Sequence, residues 1–117
     1  MKIYLACPYS DPDPKIRQDR FDAVSKAASE IMQMGHVVFS PISHSHPIAK
    51  YMPEQGYDFW LKQNAPFLEW ADELWILCIE GWFMSKGVQW EITRAGELGK
   101  LIQPVWFKNG CLKITPR

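Results

Sequence analysis

Apolar residues along this chain alternate between short continuous runs and longer stretches spaced three and four apart. Lys2 to Cys7 is a run of β-favouring residues stopped by Pro8, which predicts a buried strand. Asp11-Pro12-Asp13-Pro14 follows, with acidic caps and proline where a helix start tolerates it. From about Lys15 to Met34, Phe21, Val24, Ala28 and Ile31 keep helical spacing, and Gly35 ends that helix. His36 to Ser40 predicts a second strand, closed by Pro41. Pro41 to Gly56, rich in proline, histidine and small polar residues, reads as a long loop of the kind that carries function. Tyr57 to Trp70 predicts a second helix, kinked or restarted at Pro66. Glu73 to Ile79 is the clearest buried strand. Glu80 to Lys86 is a loop, and Gly87 opens a third helix with Val88, Ile92, Ala95 and Gly99 along one face. Leu101 to Phe107 predicts a fourth strand, and a short fifth falls around Leu112 to Ile114.

Strands alternating with helices imply a parallel sheet covered on both faces. The expectation is one doubly wound, flavodoxin-like α/β domain over residues 1–117, with four to five strands in the order 2-1-3-4-5. Ligands of such sheets bind outside the carboxyl ends of the strands, where the order reverses. That places a crevice between Pro8-Tyr9-Ser10 and the segment from Glu80 to Gly87. The second segment feeds a helix amino terminus, whose free N–H groups favour an anion. Glu91 lies one turn into that helix, between Val88 and Ala95 of the buried face. The helix dipole is expected to keep it ionised and fit to act as a nucleophile. A first-turn glutamate that merely complements the dipole has the same pattern.

Composition narrows the partners. Hydrophobic residues make up 47% of the chain and aromatics 14%, enough for a packed interior and against disorder. Thirteen basic and thirteen acidic residues leave no basic surplus, which argues against polymeric nucleic acid and leaves self-association open. Cys7, Cys78 and Cys111 form no C-x-x-C pair and read as reduced thiols of a cytoplasmic protein. The first apolar run is too short for a signal peptide or a membrane span. His44 and His46 share H-x-H spacing without an obvious third ligand, so no metal is expected and the two read as pocket-lining or loop hydrogen-bonding residues. Arg17 and Arg20 are placed on a solvated helix face, although either could reach a phosphate. Trp82, Phe83 and Trp90 suit either base stacking or packing.

Gly87-Val88-Gln89-Trp90-Glu91-Ile92, preceded by Ser85 and followed by Ala95, resembles the G-x-G-x-E-[IL]-G-x-A signature of the nucleoside 2-deoxyribosyltransferase superfamily. Ile3-Tyr4-Leu5-Ala6-Cys7-Pro8-Tyr9 is similar to its Y-[LF]-A-G-P-[FY] opening, and Ala71-Asp72 and Gly99-Lys100 match further anchors. Small bacterial and phage relatives carrying G-W-x-x-S-x-G-V-x-x-E, here Gly81 to Glu91, are more similar still. The resemblance implies cleavage of an N-glycosidic bond, by hydrolysis or deoxyribosyl transfer, with Glu91 as nucleophile. It implies no cofactor, a small nucleoside or nucleotide substrate, and a homodimer or larger homo-oligomer. Pro8, Tyr9, Ser10, Asp58 and Gly87 are expected around the substrate. Asn64 falls where many members carry an aspartate serving the base, and it also suits the cap of a helix restarting at Pro66. Where Asn64 gives no proton, Asp58 or Tyr9 is expected to give it. Ser85 matches the nucleotide-hydrolysing branch, where a serine contacts the 5′-phosphate; nucleoside transferases have an aspartate there. Gln89, Thr93 and Cys7 each replace a family glycine. Two other readings fit the same residues: a nucleotide-binding module without catalysis, and a glycohydrolase acting on NAD.

Overall fold

A computed structural model describes residues 1–116. In chain order the elements are β1 (Lys2–Ala6), α1 (Pro14–Gln33), β2 (Val37–Phe39), α2 (Pro41–Ala49), α3 (Tyr57–Trp70), β3 (Glu73–Leu77), a 3₁₀ turn (Trp82–Met84), α4 (Lys86–Glu97), β4 (Leu101–Lys108) and β5 (Cys111–Ile114). One sheet runs β2-β1-β3-β4-β5, parallel as far as β4, which is the doubly wound α/β order expected from the alternation. No helix among the described residues is long and apolar enough to cross a membrane.

Side chains alternate across β1. Ile3 and Leu5 join Val24, Ala27, Ala28 and Ile31 of α1 on one face of the sheet. Tyr4 and Ala6 join Leu68 and Ala71 beside α3, and Val88 and Ala95 of α4, on the other. Full burial of each Val, Leu or Ile side chain in these layers contributes about 1.5–3 kcal/mol.

Three expectations are corrected. Residues 41–49 form a helix, α2, and not a loop. Ser40 caps it, its hydroxyl accepting from the Ser43 N–H at 3.4 Å. Pro41 sits at the start, where a missing N–H is harmless. Pro47 falls near the end, at Ala49, so it removes a bond without preventing the turn. Second, α3 runs unbroken through Pro66. Pro66 and Lys62, the residue whose carbonyl loses its donor, are both on the exposed side. Asn64 is therefore an interior residue of α3 and not the cap of a restarted helix. Third, β5 pairs antiparallel with β4. Asn109 and Gly110, at φ 53° and 76°, make the two-residue reversal that hairpins favour.

Candidate active site

The loops after β1 and β3 flank a cleft of about 1060 Å³ at the carboxyl end of the sheet. Arg20 ties them together, donating to the Ser10 carbonyl at 3.1 Å and the Glu80 carbonyl at 3.4 Å. Gly81 makes that tie feasible. Its φ is +89°, and a Cβ there would stand 2.8 Å from Nη2 of Arg20. We expect Gly81→Ala to destabilise the protein by about 1–2 kcal/mol through the left-handed backbone alone. Thermal unfolding should show Tm lowered by several degrees, and an unchanged Tm would mean that Arg20 and the loop rearrange freely.

Glu91 sits in the cleft wall contributed by α4, only 7% exposed. The Tyr4 hydroxyl, reaching across from β1, donates to its Oε2. Burial pushes the Glu91 carboxyl up to about 8, and the bond from Tyr4 pulls the other way. This corrects the expectation that the helix dipole keeps Glu91 ionised. The dipole fades beyond the first turn, whereas loss of solvent acts on the whole group. Glu91 is thus mainly protonated at neutral pH and becomes a carboxylate as pH rises through about 8. The Tyr4 hydroxyl is itself held well above its ordinary range, by burial first and by Glu91 second. Cys7 also lines the cleft, but burial keeps its thiol far above the range in which it would ionise. It does not compete as a nucleophile.

Ser85 caps α4, its Oγ accepting from the Val88 N–H at 3.2 Å. The hydroxyl hydrogen is left to donate, and the residue lines the cleft. Gly87 lines it too, but a Cβ there would meet only Ser85 Oγ at 3.9 Å, so no steric demand fixes this glycine. Ser10, Asn64 and Tyr9 also face the cleft. Pro8 and Asp58 do not line it. Pro8 is fully buried within the first loop, and Asp58 is exposed on the first turn of α3. Of the aromatic residues weighed from sequence, Trp90 lines the cleft, Trp82 packs on the α3–α4 core, and Phe83 is exposed.

Residues weighed from sequence with more than one reading separate here. Arg17 turns into the cleft and not onto a solvated face. His44 and His46, two apart on a helix, diverge: His44 meets Phe39, while His46 lies in the cleft beside Tyr9. No group of three or more His, Cys, Asp or Glu able to hold a metal occurs among the described residues. Tyr57 and Trp60 of α3 complete the far wall. Tyr4 was not singled out within its apolar run, although it is the first residue of the opening pattern and a buried hydroxyl must find a partner.

A family model described as "Domain of unknown function (DUF1937)" matches residues 1–106. Among solved structures, the chain is similar to a 2-deoxyribosyltransferase from the psychrotolerant bacterium Bacillus psychrosaccharolyticus, at 24% identity and a TM-score of 0.67. The likeness covers 97% of this chain and 77% of that one, and it shows a common fold. No curated protein matches the sequence.

Proposed function

The chain belongs to the DUF1937 family, and from that premise we propose that it cleaves the N-glycosidic bond of a nucleoside 5′-monophosphate or nucleoside through a covalent intermediate on Glu91. The observation that carries this reading is a buried carboxyl in the wall of an open cleft, with Oε2 held by Tyr4. Oε1, the oxygen that Tyr4 does not hold, is the attacking atom. In its ionised form it bonds to the anomeric carbon as the bond to the base nitrogen breaks, and that electron pair leaves with the base. Water, or a second base, then attacks the same carbon and frees Glu91. Low-dielectric surroundings and one fixed donor hold the nucleophile in place without reorganisation. The test is base release from a panel of nucleosides, their 5′-monophosphates and NAD, with the released base identified. Nicotinamide alone would favour the NAD reading, and binding without release would favour a non-catalytic module.

Ser85 bears on which substrate is preferred. Its hydroxyl donates to a phosphate oxygen in this reading, at a helix terminus that already favours anions. Ser85→Asp keeps the cap, because aspartate serves that position as well as serine. It reverses the electrostatics, repelling a phosphate and accepting from a free 5′-hydroxyl. We expect kcat/KM to favour the monophosphate in the parent and to fall roughly 10-fold or more for it in Ser85→Asp, at about 1.5–3 kcal/mol for a bond to a charged group. A parent that prefers the unphosphorylated partner would make the protein a nucleoside enzyme.

A further inference from the structure

Asn64 bears an amide and Asp58 stands outside the cleft, so neither supplies a proton to a departing base. A different pair of residues is arranged to do so. The Tyr9 hydroxyl lies 2.6 Å from Nδ1 of His46. On its other side, Nε2 of His46 lies 3.1 Å from Oε1 of Gln18. The Gln18 amide is itself oriented, because its NH₂ donates to Oδ1 of Asp22 at 3.0 Å. A carboxylate accepts, so the Gln18 NH₂ faces Asp22 and its carbonyl oxygen faces His46. Nε2 of His46 therefore carries hydrogen, and Nδ1 is the ring position that gains and loses a proton. Phe21 stacks on the imidazole with centroids 4.3 Å apart and planes 24° apart, which fixes the ring. Tyr9, His46, Phe21 and Arg17 all line the cleft that holds Glu91.

We propose that Tyr9, backed by His46, is the acid that protonates the leaving base and the base that activates the incoming water. This rests on the N-glycosidic reading above. With His46 as imidazolium, its Nδ1–H donates to the Tyr9 oxygen and turns the Tyr9 O–H toward the substrate. As the glycosidic bond breaks, the Tyr9 proton passes to the base nitrogen, and the Nδ1 proton passes to the Tyr9 oxygen. His46 ends neutral, and the 2.6 Å contact between its Nδ1 and the Tyr9 oxygen serves both halves of the transfer. In the second half, water gives a proton to Tyr9, Tyr9 returns one to Nδ1, and the water oxygen displaces Glu91 from the sugar. Protons balance over the cycle, and Gln18 accepts from Nε2 throughout. Arg17 is the charged group beside the Tyr9 oxygen and opposes the burial that raises it, which supports a passing negative charge there. Asp22 ends this hydrogen-bond relay, one amide removed from the imidazole. Tyr9 is the catalytic residue in this scheme, and His46 and Gln18 position and charge it.

An N7-methylated purine nucleotide tests this, because its base already carries positive charge and leaves without a proton. Tyr9→Phe and His46→Gln are expected to lose about 10²-fold or more in kcat on the ordinary purine nucleotide, the usual scale of general acid catalysis. On the methylated substrate they should lose less than about 5-fold in forming the glycosyl-enzyme, read as the burst of released base. Equal losses on both substrates would reduce the pair to packing or base binding and overturn the inference. Loss confined to KM would do the same. Glu91→Gln should be inactive on both substrates. A parent that releases neither base would overturn the N-glycosidic reading itself, and this inference with it.

Discussion

Glu91→Gln is expected to fold, to lose base release by on the order of 10³-fold or more, and to be more stable than the parent in alkaline solution. The catalytic loss follows from removing an attacking oxygen whose negative charge an amide does not reproduce. The gain in stability follows from proton linkage. The folded Glu91 carboxyl titrates near 8, against 4.5 for an ordinary glutamate. Below about pH 4.5 both folded and unfolded states hold the proton, and burial carries no charge penalty. Between 4.5 and 8 the unfolded state releases the proton and the native state keeps it, so stability falls as pH rises. Above 8 the penalty is complete, on the order of 5 kcal/mol at 1.36 kcal/mol per pH unit. Glutamine is neutral throughout and accepts the Tyr4 bond through its carbonyl. Denaturant melts at pH 5 and pH 9 should therefore nearly coincide for the two proteins at the lower pH and separate at the higher. Release within tenfold of the parent would remove Glu91 as nucleophile, and parallel stability profiles would mean that it ionises freely in the fold.

Tyr4→Phe carries the second large effect. The Tyr4 hydroxyl is the donor that draws the Glu91 carboxyl downward against burial. Its loss should move the rising limb of the kcat/KM profile to higher pH. A bond to a charged group is worth about 1.5–3 kcal/mol, so one to two pH units are expected, with roughly a 10- to 100-fold loss at pH 7. Phenylalanine fills the same volume between α3 and α4, which confines the change to the hydroxyl. The N7-methylated substrate is the right one here too, since it leaves the Glu91 limb unmixed with protonation of the base. In the parent that limb should level off near pH 8. A variant with a lower plateau and an unmoved limb would show a packing defect and no control of ionisation.

What the sequence made legible was whatever local pattern determines. β1 and β3 are flanked on both sides by other strands and covered on both faces, so they read as continuous apolar runs. Topology placed a crevice beside the helix of Glu91, but the reading of Glu91 as nucleophile rested on the resemblance of Gly87 to Ile92 to a known signature. α2 was illegible because proline counts as a breaker in a window, while its effect depends on where in the helix it falls. Asn109-Gly110 is a hairpin signal in the sequence, and it makes β5 antiparallel to β4. The protonation of Glu91 depends on how deeply the fold buries it, and no window around residue 91 contains that. That Arg17 lines the cleft, and that of the two histidines only His46 does, depends on how α1 and α2 pack beside it, which spacing along the chain does not contain.

The alternation of β1 also links chemistry to assembly. A slip of one residue along β3 would swing Ile3 or Leu5 toward α4 and Tyr4 into the aliphatic layer under α1. Such a molecule would present a hydrocarbon to Glu91 and a stranded hydroxyl to the opposite core. Both faults arise from one displacement, so a chain that pairs wrongly is at once poorly packed and unable to orient its carboxyl. Active-site titration and structural yield should then agree for any preparation, with no reservoir of well-folded but inert protein between them.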